Sequence, residues 1–275
     1  MKAKSILASL LLLSMLSWGS AASAQSQDVK PASQGSFISK LNAMLSQMTD
    51  EQKAFARANW LVAPVEYTST NSHPSAFMVS PNPAPDTQQT FECAGCSSAY
   101  LLRFYGADAD GVKLFHQPSF PCKHDEGAFP RCFKVLFEEQ YGGYTTDYFT
   151  GTTDDLKDAV SQGIPAIVLL FSPRGLHYVP VVGYDETHFY IQDSVEDYRN
   201  APGNKDYNRV VDIPTFDKLW NIPLESCQRL FVIVKRATSG SPEGEMEGAL
   251  SCSLFTLNCS LLTGNSLRPA WWQWP

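Results

Sequence analysis

The hydrophobic positions of this chain change their spacing near Gly163. Before this glycine, apolar residues recur at helical spacing, and they predict a pair of helices within 35–62 and single helices at 93–105, 131–141 and 153–162. After it, apolar residues form short β-branched or aromatic runs bounded by Gly, Pro and Asp, at 164–171, 178–184, 188–192 and 230–235. We interpret these runs as strands of an antiparallel sheet. Helices first and strands later predict an α+β domain.

Two segments outside these elements lack a packing pattern. Residues 63–86 are rich in Pro and Asn and predict a long surface connection. Residues 238–248 are typical of a linker, and the tail after them carries Cys252 and Cys259 and ends in a Trp cluster. We therefore divide the chain into a leader at 1–24, a helical extension and connection at 25–86, one main domain at 87–236, and a linker with a disulfide-containing, Trp-rich tail at 237–275.

The N-terminus has the pattern of a secretory signal peptide. Lys2 and Lys4 precede an apolar run at 6–18, and small residues at 21–24 predict cleavage after Ala24. The apolar run is too short to span a bilayer, and no later stretch approaches the roughly 20 apolar residues that a membrane helix needs. We therefore expect a secreted or periplasmic protein without an integral membrane segment.

The net charge argues against two classes of partner. The formal charge is −7 for the full chain, and loss of Lys2 and Lys4 makes it −9 (−7 − 2). An acidic chain does not attract nucleic acid or anionic lipid by charge. We expect neither partner, and no motif implies a cofactor.

The chain has seven cysteines, an odd number, and an exported protein can pair its cysteines in disulfides. One thiol is therefore left over. It is unpaired by accident, it is bonded to another chain, or it is kept free because it reacts. Cys93 is the candidate for a reactive thiol because it stands where the helix at 93–105 begins, and Gly106 ends that helix. The backbone N–H groups and the dipole at a helix N-terminus favour an anion, here the thiolate.

Other residues complete the set that a thiol enzyme needs. His177 begins a predicted strand and Asp193 ends the next one, so a hairpin would bring the imidazole and the carboxylate together at one sheet edge. Gln88 or Gln89, shortly before the cysteine, is a candidate side-chain donor to an oxyanion, together with the backbone N–H of Cys93. The pattern indicates a nucleophile, a base oriented by a carboxylate, and an oxyanion hole.

These motifs resemble those of the C39-like peptidases, a bacterial branch of the papain-like fold. The shared pattern is a Gln, a Cys followed by small residues, a helix ending in Tyr-Gly, and later Gly-x-His-aromatic-Val with a hairpin that ends in Asp. In that family the closing glycine follows the nucleophile by thirteen residues, as Gly106 follows Cys93 (106 − 93), which favours Cys93 over Cys96. The family's His and Asp lie sixteen residues apart, as do His177 and Asp193 (193 − 177).

The resemblance covers residues 88–235 and implies a papain-like α+β fold, with helices packed on an antiparallel sheet. It also implies a cysteine peptidase acting on peptide or protein substrates, in which Cys93 is the nucleophile, His177 the base and Asp193 the residue that orients the histidine.

The chain departs from the family pattern at two positions. Ala94 stands where the family usually has Gly, which leaves the backbone N–H usable. Thr87 stands where the family has its Gln, so that Gln88 and Gln89 both stay candidates for the oxyanion donor.

Three other hypotheses stay open. The same catalytic residues also serve transglutaminases and deamidases of protein glutamine, and the sequence does not separate these reactions from hydrolysis. A non-catalytic binding module would hold Cys93 in a disulfide and would use the Trp-rich tail for its contacts. Cys93 and Cys96 also match a redox-active CxxC motif, but the βαβ pattern expected around that motif is missing.

The six remaining cysteines allow three disulfides that would stabilise the fold. One of fifteen connectivities joins the cysteines that are close in sequence and pairs the two left over: Cys122 with Cys132, Cys252 with Cys259, and Cys96 with Cys227. Alternatively, Cys122, His124 and Cys132 are metal-ligand types in one loop, although an oxidising compartment favours a disulfide there, and we expect no metal.

Overall fold

The structure of the protein is a computed structural model that describes residues 49–51, 54, 61–69, 73–124, 127–172, 175–201, 203–222 and 227–237. The predicted signal peptide, most of the N-terminal helical pair, the linker and the Trp-rich tail lie outside the described residues.

Ten strands occur among the described residues. They are β1 Val65–Glu66, β2 Phe77–Met78, β3 Lys123–His124, β4 Gly127–Ala128, β5 Tyr144–Thr150, β6 Ala166–Ser172, β7 Gly175–Tyr184, β8 His188–Ile191, β9 Arg209–Asp212 and β10 Leu230–Arg236. Eight of them form one sheet in the order β1-β5-β10-β6-β7-β8-β9, with β2 paired to β7, while β3 and β4 form a small hairpin. In the large sheet every pair is antiparallel except β1 with β5.

The described helices lie between these strands. They are α1 Cys93–Phe104, α2 Gly111–His116, α3 Cys132–Lys134, α4 Thr153–Ser161 and α5 Ile213–Trp220. A π-helix at Val135–Tyr141 follows α3 directly, and a short 3-10 helix spans Glu196–Tyr198. The helix predicted at 131–141 is therefore one helical segment in which only α3 has α-helical geometry.

The start and end of α4 follow from local chemistry. The Thr152 hydroxyl accepts from Asp155 N–H while the Asp155 carboxylate accepts from Thr152 N–H, so each satisfies a donor of the first turn. Gly163, with φ +83, ends the segment because this left-handed conformation suits glycine.

The sheet carries a hydrophobic core on each face. Alternation along β6 sends Ile167 and Leu169 to one face and Val168 and Leu170 to the other. The helices α1 and α3 cover the first face, and α4 and α5 cover the second. The four runs predicted as strands lie in β6, β7, β8 and β10. These runs are rich in apolar residues because the sheet is covered on both faces.

The predicted disulfides are not confirmed. No disulfide bond is present among the five cysteines of the described residues. Cys96 lies where α1 packs against Gly111 of α2, whereas Cys227 is buried in the core near Tyr178 of β7, so these two cysteines have different surroundings. Cys122 and Cys132 are closer, since a charge on Cys122 contributes, after burial, to the raised pKa of Cys132. Cys252 and Cys259 lie outside the described residues.

No helix among the described residues has both the length and the apolar character needed to cross a bilayer.

Candidate active site

Cys93 is the first residue of α1 and is 7% exposed. The helix is held firmly against the sheet, because Ser97 Oγ donates a hydrogen bond to the carbonyl of Tyr178 on β7 at 3.1 Å. The thiol therefore lies at a fixed helix N-terminus, where backbone N–H groups favour a negative charge.

His177 and Asp193 meet at one edge of the sheet. His177 lies on β7 and Asp193 follows β8, and antiparallel pairing of these strands brings the two side chains together. His177 Nε2 lies 2.9 Å from Asp193 Oδ1, with both side chains buried. The predicted contact between imidazole and carboxylate is present.

The side chain of Cys93 lies close enough to the imidazole of His177 to raise the pKa of the histidine. Because Nε2 is used by Asp193, Nδ1 is the ring nitrogen left for the thiol. Burial by itself lowers the pKa of His177, but the charge and hydrogen bond of Asp193, with a further contribution from Cys93, raise it to about 9. The imidazole is therefore protonated at neutral pH.

The carboxylate of Asp193 is fully buried and fully hydrogen-bonded. Oδ1 also accepts from the Val195 N–H at 2.8 Å, and Oδ2 accepts from Arg209 Nη1 at 2.7 Å. Burial raises the pKa of Asp193, but the charge and hydrogen bond of His177, the charge of Arg209 and the Val195 N–H outweigh burial and lower it to about 2.

The two candidate oxyanion donors lie in different places. Gln88 lines the same cleft as Cys93 and His177, whereas Gln89 is exposed and does not line it. The amide of Gln88 is held at both ends: Oε1 accepts from Ser194 Oγ at 2.6 Å, and Nε2 donates to the carbonyl of Thr90 at 2.7 Å. The second hydrogen of Nε2 is left for a ligand in the cleft.

A shallow, partly open cleft lies beside Cys93. Besides Gln88, Cys93 and His177, its walls are formed by Thr90, Phe91, Ser172, Leu176 and Val195. Three of these five side chains are apolar, so the cleft fits an uncharged segment of a ligand next to the thiol.

Two residues at this site were not found by the sequence reasoning. Arg209 neutralises Asp193, and Glu92 accepts hydrogen bonds from Gln89 N–H and Thr90 N–H, which fixes the loop that carries Gln88. A β-branched pair after Arg209 was the available signal for β9, the strand that brings this arginine beside β8. For Glu92 the signal was its position directly before the helix.

The hairpin that carries His177 has a second histidine, His188, which does not line the cleft. His188 is partly exposed at the start of β8 and contacts Thr187 Oγ1 at 2.8 Å through Nδ1. Cys93 and Cys96 are not joined, and Cys93 is not in the disulfide that the binding-module hypothesis requires. Among the described residues, no group of three or more His, Cys, Asp or Glu side chains is arranged to hold a metal ion.

A match to a protein family gives the class of this protein. The model of the Peptidase_C39 like family matches residues 82–222, just over half of the chain, and the chain belongs to this family. No curated protein matches the sequence.

Several solved structures are similar to the chain. The peptidase domain of Streptococcus ComA, a bi-functional ABC transporter involved in a quorum sensing pathway, is 15% identical, with 56% of this chain and 98% of that chain covered and a TM-score of 0.43. A C39-like peptidase from Bacillus anthracis is 17% identical, with 60% and 100% covered and a TM-score of 0.44. Procathepsin B from Trypanosoma congolense is 14% identical, with 74% and 98% covered and a TM-score of 0.45.

Proposed function

We propose that this protein is a secreted cysteine peptidase that hydrolyses peptide bonds through Cys93, His177 and Asp193. The observation that carries the proposal is the array in which the His177 imidazole hydrogen-bonds the Asp193 carboxylate and lies beside the Cys93 side chain at the wall of a cleft. A thiol, a base and an orienting group in contact are what covalent acyl transfer requires. Family membership supports a peptidase as the class of enzyme.

In the first half of the proposed reaction, the Cys93 thiolate attacks the carbonyl carbon of a peptide bond and forms a C–S bond. The carbonyl oxygen becomes an oxyanion, which Gln88 Nε2 and the Cys93 N–H stabilise. The His177 imidazolium then gives its Nδ1 proton to the leaving amine as the C–N bond breaks. A thioester on Cys93 remains.

In the second half, water replaces the amine. The now neutral His177 takes a proton from the water as its oxygen attacks the thioester carbon, and the C–S bond breaks to release the carboxylic acid. Asp193 stays ionised throughout because the charges of His177 and Arg209 and the hydrogen bond from His177 outweigh burial and keep its pKa low, and it holds the ring orientation at every step.

The test is a comparison of the exported protein with its Cys93→Ala variant on a library of proteome-derived peptides, read by mass spectrometry. We expect new peptide termini with the wild-type protein and none with the variant. An amine such as cadaverine in the mixture separates the other reactions, because amine incorporation or deamidation at glutamine, without new termini, would assign a transglutaminase or deamidase. Equal peptide patterns with both proteins would contradict every enzymatic proposal.

We also propose export to the periplasm or the medium, on the basis of the N-terminal residues 1–24, and a peptidase domain at 87–236 between an N-terminal extension and the tail. N-terminal sequencing of the mature protein should begin at Gln25. Recovery of protein that still begins at Met1, all of it in the cytosol, would contradict export.

A further inference from the structure

The two carboxylate oxygens of Asp193 have separate partners. Oδ1 faces His177 Nε2 at 2.9 Å, and Oδ2 faces Arg209 Nη1 at 2.7 Å. The proposed acyl transfer uses the first contact and gives no role to the second. Arg209 lies on β9, which pairs with β8, so the fold itself brings the guanidinium to the back of the carboxylate.

The ion pair of Asp193 and Arg209 is largely removed from solvent. Asp193 is 0% exposed, and the Arg209 side chain is 15% exposed. A carboxylate buried in this way is stable only with a partner, and salt in the solvent screens such a pair weakly. Arg209 therefore offsets part of the negative charge that Asp193 presents to its surroundings.

The guanidinium of Arg209 is fixed in place by an aromatic ring. It lies over the ring of Tyr198 with its central carbon 5.3 Å from the ring centroid. The same ring packs edge-on against the imidazole of His177, with centroids 6.0 Å apart. Tyr198 thus contacts both the Arg209 guanidinium and the His177 imidazole. These contacts connect Arg209 with the pair formed by His177 and Asp193.

We propose that Arg209 is a positioning residue of this site, which neutralises Asp193 and thereby limits how firmly His177 holds its proton. This inference rests on the proposed function. A carboxylate without its counter-ion stabilises a neighbouring imidazolium strongly, and an over-stabilised imidazolium is a poor acid toward a leaving amine. With Arg209 in place, Asp193 still orients the ring and its negative charge is balanced.

The other charged or titratable groups around His177 do not provide this balance. Cys93 approaches from α1 as a potential anion, and Tyr198 approaches from the 3-10 helix as a neutral ring. Arg199 donates through Nε to the main-chain carbonyl of Asp193 at 3.0 Å, not to its carboxylate, and its Nη2 contacts the carbonyl of Asp86. Apart from His177 itself, Arg209 is the cation among the described residues that contacts the carboxylate of Asp193.

The test follows the titration of the His177 ring by NMR in the Cys93→Ser background, which removes the thiolate as a second charge. The signal is assigned among the five histidines by its loss in a His177→Gln protein. Arg209→Met leaves an unbalanced carboxylate and should move the titration up by about one pH unit, whereas Asp193→Asn leaves an unbalanced cation and should move it down by about as much. The double variant also lacks the Asp193 charge and hydrogen bond that raise the pKa of His177, so it should titrate below the Cys93→Ser parent. It should titrate about one pH unit above Asp193→Asn, because the unbalanced cation is gone.

A structural role alone predicts a different pattern. If Arg209 only holds β9 in place, the double variant should titrate no higher than Asp193→Asn, and the two single shifts should not have opposite signs. Either result would overturn the proposal. If Arg209→Met does not fold, the comparison of Asp193→Asn with the double variant tests the same charge, since neither protein contains the unpaired carboxylate.

Two control variants separate charge from contact. Arg209→Lys keeps the positive charge and should titrate like the parent. Arg199→Gln removes a cation that contacts only the main chain of Asp193, and it should also leave the titration in place. A shift in Arg199→Gln as large as that in Arg209→Met would show that any loss of positive charge nearby suffices, and would contradict a specific role for Arg209.

The titration does not depend on peptidase activity, so the two proposals fail separately. Opposite shifts without any peptide cleavage by the wild-type protein would uphold the charge balance and overturn the proposed function. Peptide cleavage with an unmoved His177 titration would uphold the function and overturn the role of Arg209. If both proposals hold, the basic limb of the profile of kcat/KM against pH should move to higher pH in Arg209→Met. It should stay in place in Arg209→Lys.

Discussion

The Ser194 hydroxyl donates a hydrogen bond to Gln88 Oε1 at 2.6 Å and so fixes which end of the amide faces the cleft. The backbone supports the same arrangement, because Gln88 N–H donates to the carbonyl of Ser194 at 2.9 Å. Nε2, the end that can donate to an oxyanion, is therefore turned away from Ser194 and toward the Thr90 carbonyl.

This relationship predicts different effects at two adjacent glutamines. Gln88→Ala should lower kcat by about 10²- to 10³-fold with a small change in KM, which is typical of losing one oxyanion donor. Gln89→Ala is the matched control and should stay close to wild type, because that side chain is exposed and outside the cleft. Alkylation of Cys93 by iodoacetamide forms no oxyanion, so its rate should be unchanged in both variants. A slower alkylation in Gln88→Ala would mean that Gln88 acts on the thiol instead.

Glu92 is 1% exposed and satisfies several donors of the loop before α1. Its carboxylate accepts from Thr90 N–H at 2.6 Å, Gln89 N–H at 3.1 Å and His116 Nε2 at 3.0 Å. Burial raises the pKa of Glu92, but these hydrogen bonds outweigh burial and hold it below its usual value. The loop that carries Gln88 therefore depends on an ionised Glu92.

Glu92→Ala should lower the free energy of unfolding by about 1–3 kcal/mol in total, because the partly buried N–H groups of Gln89 and Thr90 lose their acceptor. It should also lower kcat, because Gln88 loses its fixed position. His116→Ala is the control: the His116 side chain is 57% exposed, and its loss should cost at most about 1 kcal/mol. Urea unfolding of the three proteins measures both effects. Similar losses in the two variants would show that the exposed ion pair, not the loop, supplies the stability.

Gly95 lies where α1 and α2 approach each other most closely. A Cβ at this position would lie 2.4 Å from the carbonyl oxygen of Gly111 and 2.6 Å from Phe115 Cβ. The first of these atoms is main chain, so α2 would have to move as a whole. Gly95→Ala should therefore destabilise the protein by about 1–3 kcal/mol. Lys113→Ala, on the exposed side of α2, should change stability by no more than about 0.5 kcal/mol. Equal thermal melting of Gly95→Ala and wild type would contradict this packing.

Much of the sheet and of the candidate site followed from local sequence signals. The contact between His177 and Asp193 could be predicted because two apolar strands joined by a short turn form a hairpin, and this depends little on the rest of the fold. The start of α1 at Cys93 followed from helical spacing that ends at Gly106, which has φ +87. In these cases the determining contacts are close in sequence.

Other features depend on packing between distant segments. Arg209 reaches Asp193 only because β9 pairs with β8, and the four-residue β9 has too short a pattern to be recognised alone. The helix α5 was not predicted. Its first turn contains Pro214, which needs no N–H partner there, and Asp212 caps the helix by accepting from Thr215 N–H. The odd number of cysteines does not by itself identify Cys93 as the reactive thiol. No disulfide is present among the described cysteines, so pairing excludes none of them. What distinguishes Cys93 from Cys96 is contact with His177.

The raised pKa of His177 also predicts a pH dependence of stability. Its ordinary value is 6.5 and its value in the fold is about 9, so the folded protein binds this proton more tightly than the unfolded chain does. The resulting stabilisation is complete below about pH 6.5 and is lost as the pH rises through 9. The free energy of unfolding should therefore fall between pH 6.5 and 9.5.

This decline can be assigned by comparing two histidine variants. In His177→Gln the group that titrates is gone, so the fall from pH 6.5 to 9.5 should be clearly smaller than in wild type. His188→Gln, at the partly exposed end of β8, should keep the wild-type decline. Urea unfolding at four pH values across this window measures the slope for each protein. A slope in His177→Gln as steep as in wild type would assign the loss of stability at alkaline pH to other groups. It would contradict a raised pKa of His177 in the folded protein.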